Sequence, residues 1–275
     1  MSQFPKPTTP GELAFEAYLK SQGINFEFES LPDGKTRPPD FTLNHGRDYF
    51  LDVKDFEPKN DPVGPGPRFF DPYKRIRKKI AKATEKFREY DGESCVLVLY
   101  NKGDPLVDIW SDYTVLGAMY GDAALRIPFN VQTGTANDEK AEPTFHGPGK
   151  MIQPGWKQPV NTRISALISL RFVQTGRARY LRLASVDPSV RQIGAYLDFD
   201  PQEQHVGVIV WENCFAQIPF PRDLFCGEYD EIYGVVDDRQ PRVFAGRGIL
   251  AYQEDMAEAD AGYRLRVANS SDQKT

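Results

Sequence analysis

Cysteine and histidine are scarce, three of each in 275 residues. Cys95, Cys214 and Cys226 are odd in number, far apart and mostly in apolar contexts. That pattern argues against a disulfide framework and a Cys/His zinc site, and it fits a reducing cytoplasm. No apolar run approaches the roughly 20 residues that cross a bilayer, so a membrane is not an expected partner. The segment Met1 to Pro10 is polar and proline-rich and lacks the charged-then-apolar order of a signal peptide. Low-complexity blocks and internal repeats are missing as well. Positive charge is not in excess either, the net charge being −5. Proteins that live on nucleic acid are often basic, because neutralising phosphates releases counterions. Any such surface here has to be local.

What is present is the material of a globular fold. Aromatic residues make up 12% of the chain, enough rings to build a core, which a disordered chain lacks. Residues 11–22 read as a helix, preceded by Pro10 and followed by Gly23, with Leu13, Phe15, Ala17 and Leu19 as its apolar stripe. Ile24 to Glu29 alternates apolar and charged residues, the period of a half-buried strand. Asp40 to Leu43 and Asp48 to Lys54 read as the two strands of a hairpin, joined by Asn44-His45-Gly46-Arg47, where Asn and Gly tolerate positive φ. After a Pro/Gly-rich loop from Glu57 to Phe70, Asp71-Pro72 reads as a helix start. That helix runs to about Tyr90, with Ile76, Ile80, Ala83 and Phe87 on one face. Cys95 to Tyr100 is a short apolar run bounded by turns, hence a central buried strand. The predicted order is αβββαβ.

The hairpin carries the chemistry. Side chains on a strand alternate faces, so Phe50, Asp52 and Lys54 share one face, while Tyr49, Leu51 and Val53 form an apolar face for a helix. If the loop is His45 to Arg47, Asn44 pairs with Asp48 and Asp40 falls opposite Asp52. Two carboxylates that close repel each other, and a divalent cation turns the repulsion into binding. Mg²⁺ typically takes one or two carboxylates together with waters and phosphate oxygens. Beside them, the Lys54 ammonium can hold a phosphate or position an attacking water. The bland alternative for a bare D-x-K is an exposed ion pair worth under about 1 kcal/mol. The proline before Asp40, the hairpin length, the acidic helix before it and the basic helix after it all favour the site.

Pro39-Asp40 followed by Asp52-Val53-Lys54 resembles the PD-(D/E)XK, or restriction-endonuclease-like, nuclease superfamily. The resemblance covers roughly residues 11–100. It implies an α/β fold with a mixed central sheet flanked by helices. It implies Asp40 and Asp52 as metal ligands, with Val53 between the motif residues also at the metal, and Lys54 as the catalytic lysine. Members often add a glutamate from the first helix; here Glu12 and Glu16 are the two candidates, and their alternative is a solvated charge stripe with Lys20. The implied activity is hydrolysis of phosphodiester bonds, in DNA, with Mg²⁺ or Mn²⁺ as cofactor.

Lys74, Arg75, Arg77, Lys78, Lys79, Lys82 and Lys86 crowd the second helix. This is the local basic surface sought above, and Lys74, Arg75, Arg77, Lys78 and Lys82 are its candidate nucleic-acid contacts; a solvated basic face is the alternative. Beyond Tyr100 the pattern thins. Val115 to Tyr120 reads as a short helix, Gln132 to Pro159 as a long excursion or flexible loop, and Ile164 to Leu170 and Val206 to Trp211 as core strands. Arg171 and Arg177 are within the repertoire of phosphate contacts, and Asn213 reads as a turn former. Residues 11–265 are expected to form one domain, a core over 11–100 with elaborations over 101–265, between a short N-terminal extension (1–10) and a polar tail (266–275). A homodimer is compatible with this reading. So is a catalytically silent nucleic-acid-binding or scaffold protein on the same fold, since fold does not fix function.

Overall fold

Thr9 and Pro10 set where the first helix begins. Helix α1 spans Pro10–Ser21. The Thr9 hydroxyl accepts the Glu12 N–H at 3.3 Å and the Glu12 carboxylate accepts the Thr9 N–H at 3.0 Å, a reciprocal pair that satisfies two otherwise orphaned donors. Pro10 stands at the first helical position, where its missing N–H has no helical partner to lose. The buried stripe is Gly11, Ala14, Phe15, Tyr18 and Leu19. Leu13 and Ala17, expected in that stripe, are exposed. Phe15 and Tyr18 fix the inward face, and counting back by four reaches Gly11 and Ala14 instead of Leu13.

The computed structural model describes residues 5–58, 71–154, 157–173, 204–235 and 241–245. The strand expected over Ile24 to Glu29 is shorter, β1 covering Phe26–Phe28, with Glu29 at φ +46° just beyond it. Strands β2 (Phe41–Asn44) and β3 (Asp48–Phe56) pair antiparallel in the predicted register, Asn44 with Asp48 through Phe41 with Leu51. In the loop Gly46 takes the positive φ, +71°. Asn44 stays in its strand, where its amide donates to Asp48 Oδ1 at 2.8 Å.

Helix α2 is Lys74–Lys86, followed by a 3-10 turn over Phe87–Glu89. It starts later than expected, because Asp71 spends its carboxylate on a turn, accepting the Tyr73 and Lys74 N–H groups at 2.8 and 3.1 Å. Ile76, Ile80, Ala83 and Phe87 are all buried, as the periodicity demands. Strand β4 (Ser94–Asn101) then runs parallel to β3. The order of elements over this region is the predicted one.

Helix α3 (Asp112–Tyr120) follows. The excursion after it is more ordered than a flexible loop. Strands β5 (Asp122–Arg126) and β8 (Glu142–His146) form one two-stranded sheet, and β6 (Phe129–Asn130) with β7 (Thr135–Ala136) another. The Asn130 side chain closes the tighter turn, accepting N–H groups from Gln132 and Thr133, and Gly134 supplies φ +67°. Strands β9 (Ile164–Val173), β10 (His205–Glu212), β11 (Glu231–Val235) and β12 (Pro241–Ala245) complete an eight-stranded mixed sheet in the order β1-β2-β3-β4-β9-β10-β11-β12.

The protein is therefore α/β, with a core on each face of one sheet. On one face Phe15, Tyr18 and Leu19 of α1 meet Leu51, Val53, Val96 and Val98. On the other, Ile76 and Ile80 of α2 and Val115 and Leu116 of α3 join the core of Phe50, Leu97 and Leu99. No helix among the described residues is long and apolar enough to cross a membrane. Arg171 is a correction to its expected phosphate contact: it is buried and paired with Glu231 at 3.1 Å, and it also donates to the Tyr229 carbonyl. Asn213 is the turn former it was expected to be, accepting the Phe215 N–H and donating to the Ile164 carbonyl at 2.8 Å. Arg177, the loop from Lys59, and the polar tail lie outside the described residues.

Candidate functional site

The hairpin ladder ends one pair before Asp40. Past Phe41, the Asp40 N–H turns to the Leu51 carbonyl at 2.8 Å, and the Asp40 side chain replaces the missing strand partner: its Oδ2 accepts the Val53 N–H at 2.6 Å. This fixes the carboxylate beside β3 with Oδ1 still free to bind. Asp52 is fully buried, and Asp40 is only 15% exposed. Asp52 does project away from the α1 face as expected, but that second face is no open surface, because α2 lies over it.

A cation joins the pair. Lys86, from the last turn of α2, places its ammonium 2.6 Å from Asp40 Oδ1 and 2.5 Å from Asp52 Oδ1. Lys54 comes from the strand itself, with Nζ 2.6 Å from Asp52 Oδ2 and 3.2 Å from the Val53 carbonyl. The Asp52 Oδ2 contact is an ion pair without hydrogen-bond geometry, so that buried oxygen has no hydrogen bond. Burial, and then the neighbouring Asp52 carboxylate, raise the Asp40 pKa against the pull of Lys86 and the Val53 N–H. Burial alone would lower the Lys86 pKa, but Asp52 and Asp40 outweigh it and hold the ammonium above its ordinary value.

One edge of α2 runs antiparallel beside β3. Arg75, Lys79, Lys82 and Lys86 lie one position ahead of the buried residues Ile76, Ile80, Ala83 and Phe87, on the flank of that stripe. Lys86 reaches Asp52, Lys79 donates to the Asp55 carbonyl at 2.7 Å, and Arg75 donates to the Glu57 carbonyl at 3.1 Å and pairs with Asp104. Where α2, the end of β3 and the start of α1 meet, a cleft of about 490 Å³ is lined by Lys54, Asp55, Arg75, Lys79, Val53 and Thr9, among others. Burial, and then the Lys54 and Lys82 ammonium groups, lower the Lys79 pKa, so this edge carries crowded positive charge. Lys54 borders both the cleft and the acidic pair.

Of the five predicted nucleic-acid contacts, Lys74, Lys78 and Lys82 are exposed. Arg75 is engaged as above, and Arg77 donates to Asp122 at 2.6 Å and to the Gly117 carbonyl at 3.0 Å. The helix glutamates do not join the acidic pair. Glu12 is the N-terminal brace of α1, and Glu16 pairs with Lys20 at 2.8 Å. Both sit on the helix that covers the opposite face of β3 from Asp52. Glu12 is the nearer to the cleft, since its charge acts on Asp55, whose carboxylate accepts the Gly11 N–H at 3.2 Å. Among the described residues, no group of three or more His, Cys, Asp or Glu side chains is arranged to hold a metal ion.

Protein-family models, curated proteins and solved structures give no match to this chain. The site therefore rests on its own geometry. Sequence reasoning placed Lys86 in the basic helix but missed its role beside the aspartates. The signal was there: it directly precedes Phe87 of the buried stripe, which puts it on the flank turned toward β3. A divalent cation fits the residues present. Two carboxylate oxygens, Asp40 Oδ1 and Asp52 Oδ1, already converge on one positive centre, and the remaining Asp52 oxygen faces Lys54.

Proposed function

We propose that the protein is a Mg²⁺-dependent nuclease with a restriction-endonuclease-like core, acting on DNA. One observation carries the reading: Asp40 Oδ1 and Asp52 Oδ1 converge at 2.6 and 2.5 Å on a single cation, with the Lys54 ammonium on the other Asp52 oxygen. Asp40, Asp52 and Val53 would hold the metal. When bound, Mg²⁺ supplies a water of lowered pKa and stabilises charge developing on phosphate oxygens. Lys54, at the mouth of the cleft, holds the phosphate or positions the attacking water. Arg75 and Lys79 keep positive charge along the cleft, and Lys74, Lys78 and Lys82 extend it over the exposed face of α2 for the backbone on either side. Glu12 is the better placed of the two helix glutamates to assist.

The test is cleavage of end-labelled DNA by purified protein, with Mg²⁺ and with chelator, alongside Lys54→Ala and Asp52→Asn. Metal-dependent cleavage lost in both variants is expected. Cleavage that survives both places the activity elsewhere or in a contaminant, and cleavage of RNA but not DNA corrects the substrate. A catalytically silent nucleic-acid-binding protein is the second reading. The Lys86 ammonium already neutralising the pair favours it, and binding without cleavage under Mg²⁺ and Mn²⁺ would establish it.

A further inference from the structure

The position of Lys86 has a meaning beyond charge balance. We infer that the Lys86 ammonium is the resident cation of the Asp40–Asp52 pair and competes with the divalent metal for it, so that metal loading requires Lys86 to leave. This rests on the metal-dependent reading of the site.

The two oxygens that Lys86 touches, Asp40 Oδ1 and Asp52 Oδ1, are the two that converge. An ion coordinated by both occupies the space of the ammonium nitrogen, since Mg²⁺ needs oxygens at about 2.0–2.1 Å and admits no cation between. Asp52 has no route to water, being fully buried, so the pair cannot simply stand bare. Lys54 meets only the far Asp52 oxygen, so the two converging oxygens still call for a cation between them, and in the metal-free protein Lys86 is that cation. Lys54 differs in kind. It touches the other Asp52 oxygen and borders the cleft, so it can stay when the occupant changes. Lys86 is also built to leave. It ends α2, its stem is flexible, and a fifth of its side chain already reaches solvent. In this arrangement Lys86 is a positioning residue. It keeps the carboxylates gathered and sets how much free metal is needed to load them.

The experiment titrates wild type, Lys86→Met and Lys82→Met with Mn²⁺ and with Mg²⁺, without nucleic acid, by calorimetry and by the shift of the thermal unfolding midpoint. Lys82→Met removes an exposed ammonium from the same helix edge and controls for the general field. Removing the competitor should tighten metal binding of Lys86→Met by on the order of tenfold to a hundredfold, the range for releasing a hydrogen bond to a charged group, while Lys82→Met stays near wild type. Lys86→Met should also unfold at lower temperature without metal and regain more than wild type does as Mn²⁺ is added. If Lys86→Met is too unstable to titrate, restoration of its fold by Mn²⁺ supports the inference. Failure of Mn²⁺ to restore it marks Lys86 as a structural strut and overturns the inference. Wild-type binding with equal or weaker binding in Lys86→Met overturns the inference and leaves the proposed function standing. No binding to any of the three proteins overturns both.

Discussion

Asp52→Asn tests whether the two lysines outweigh the crowding of carboxylates. The substitution keeps shape and removes one buried charge. Asp52 is fully buried, with Lys86 at 2.5 Å on one oxygen and Lys54 at 2.6 Å on the other. Breaking a buried ion pair by removing one partner costs about 3–5 kcal/mol. Three features place this case at or below the lower end. Lys86 keeps Asp40 at 2.6 Å, Lys54 is 24% exposed and can turn to water, and neutralising Asp52 relieves its repulsion with Asp40. A loss of about 2–3 kcal/mol is therefore expected, which for a domain of this size lowers the unfolding midpoint by roughly 5–10 °C. The assay is urea denaturation at neutral pH in chelator, comparing midpoints at equal slope, with a calorimetric scan beside it. Added Mg²⁺ should raise the wild-type midpoint and leave that of Asp52→Asn nearly still. A metal-free Asp52→Asn as stable as wild type or more stable would refute the reasoning, because carboxylate repulsion and desolvation would then outweigh both lysines.

Three further predictions concern the frame around the site. Gly11→Ala should lower the unfolding midpoint, since a Cβ there meets the Asp55 carboxylate and stands 3.0 Å from both Tyr100 Cβ and Val53 Cγ1. Overpacking costs about 1–3 kcal/mol against a helix-propensity gain of at most about 1, and a raised midpoint would contradict the packing. A thiol reagent should label Cys214 and Cys226 in the folded protein and Cys95 only on unfolding, because Cys95 is buried and burial raises its thiol pKa; three fast thiols would refute this. The Glu89 carboxylate is held below its ordinary range by the Thr36 hydroxyl and then the Thr36 N–H, at 2.5 and 2.7 Å. Its contribution is present above the ordinary carboxyl pKa and is lost as pH falls through the lowered value. The midpoint gap between wild type and Glu89→Gln should accordingly be largest at neutral pH and close in acid, and a gap that widens in acid would reverse the assignment.

Much of the site's frame was readable along the chain because its determinants are local. The three-residue loop fixed the hairpin register from Asn44 and Asp48 onward, and alternation sorted Asp52 and Lys54 from Leu51 and Val53. Local rules stop where the ladder stops. Asp40 leaves its strand pairing and bonds the Val53 N–H with its side chain, which no hairpin count reveals. Lys86 lies 34 residues from Asp52, and its meeting with the pair depends on how α2 is rotated on the sheet. The buried stripe fixes that rotation, but only once both faces of β3 are known to be covered. The strands within Gln132 to Pro159, read as a long excursion or flexible loop, are hidden because β7 has only two residues and β8, Glu-Pro-Thr-Phe-His, shows no apolar alternation.

The placement of Lys86 also bears on how the chain folds. The β2–β3 hairpin is closed by near neighbours and is the kind of element that forms early. It brings Asp40 and Asp52 together before any lysine outside the hairpin has arrived. Lys86, the lysine that bridges both, stands at the far end of the crossover helix that joins β3 to its parallel neighbour β4. Completion of the hairpin is thereby expected to wait for the crossover, which would join the two in one cooperative step. Neutralising Asp52 would uncouple them, letting the hairpin form without waiting for its helix.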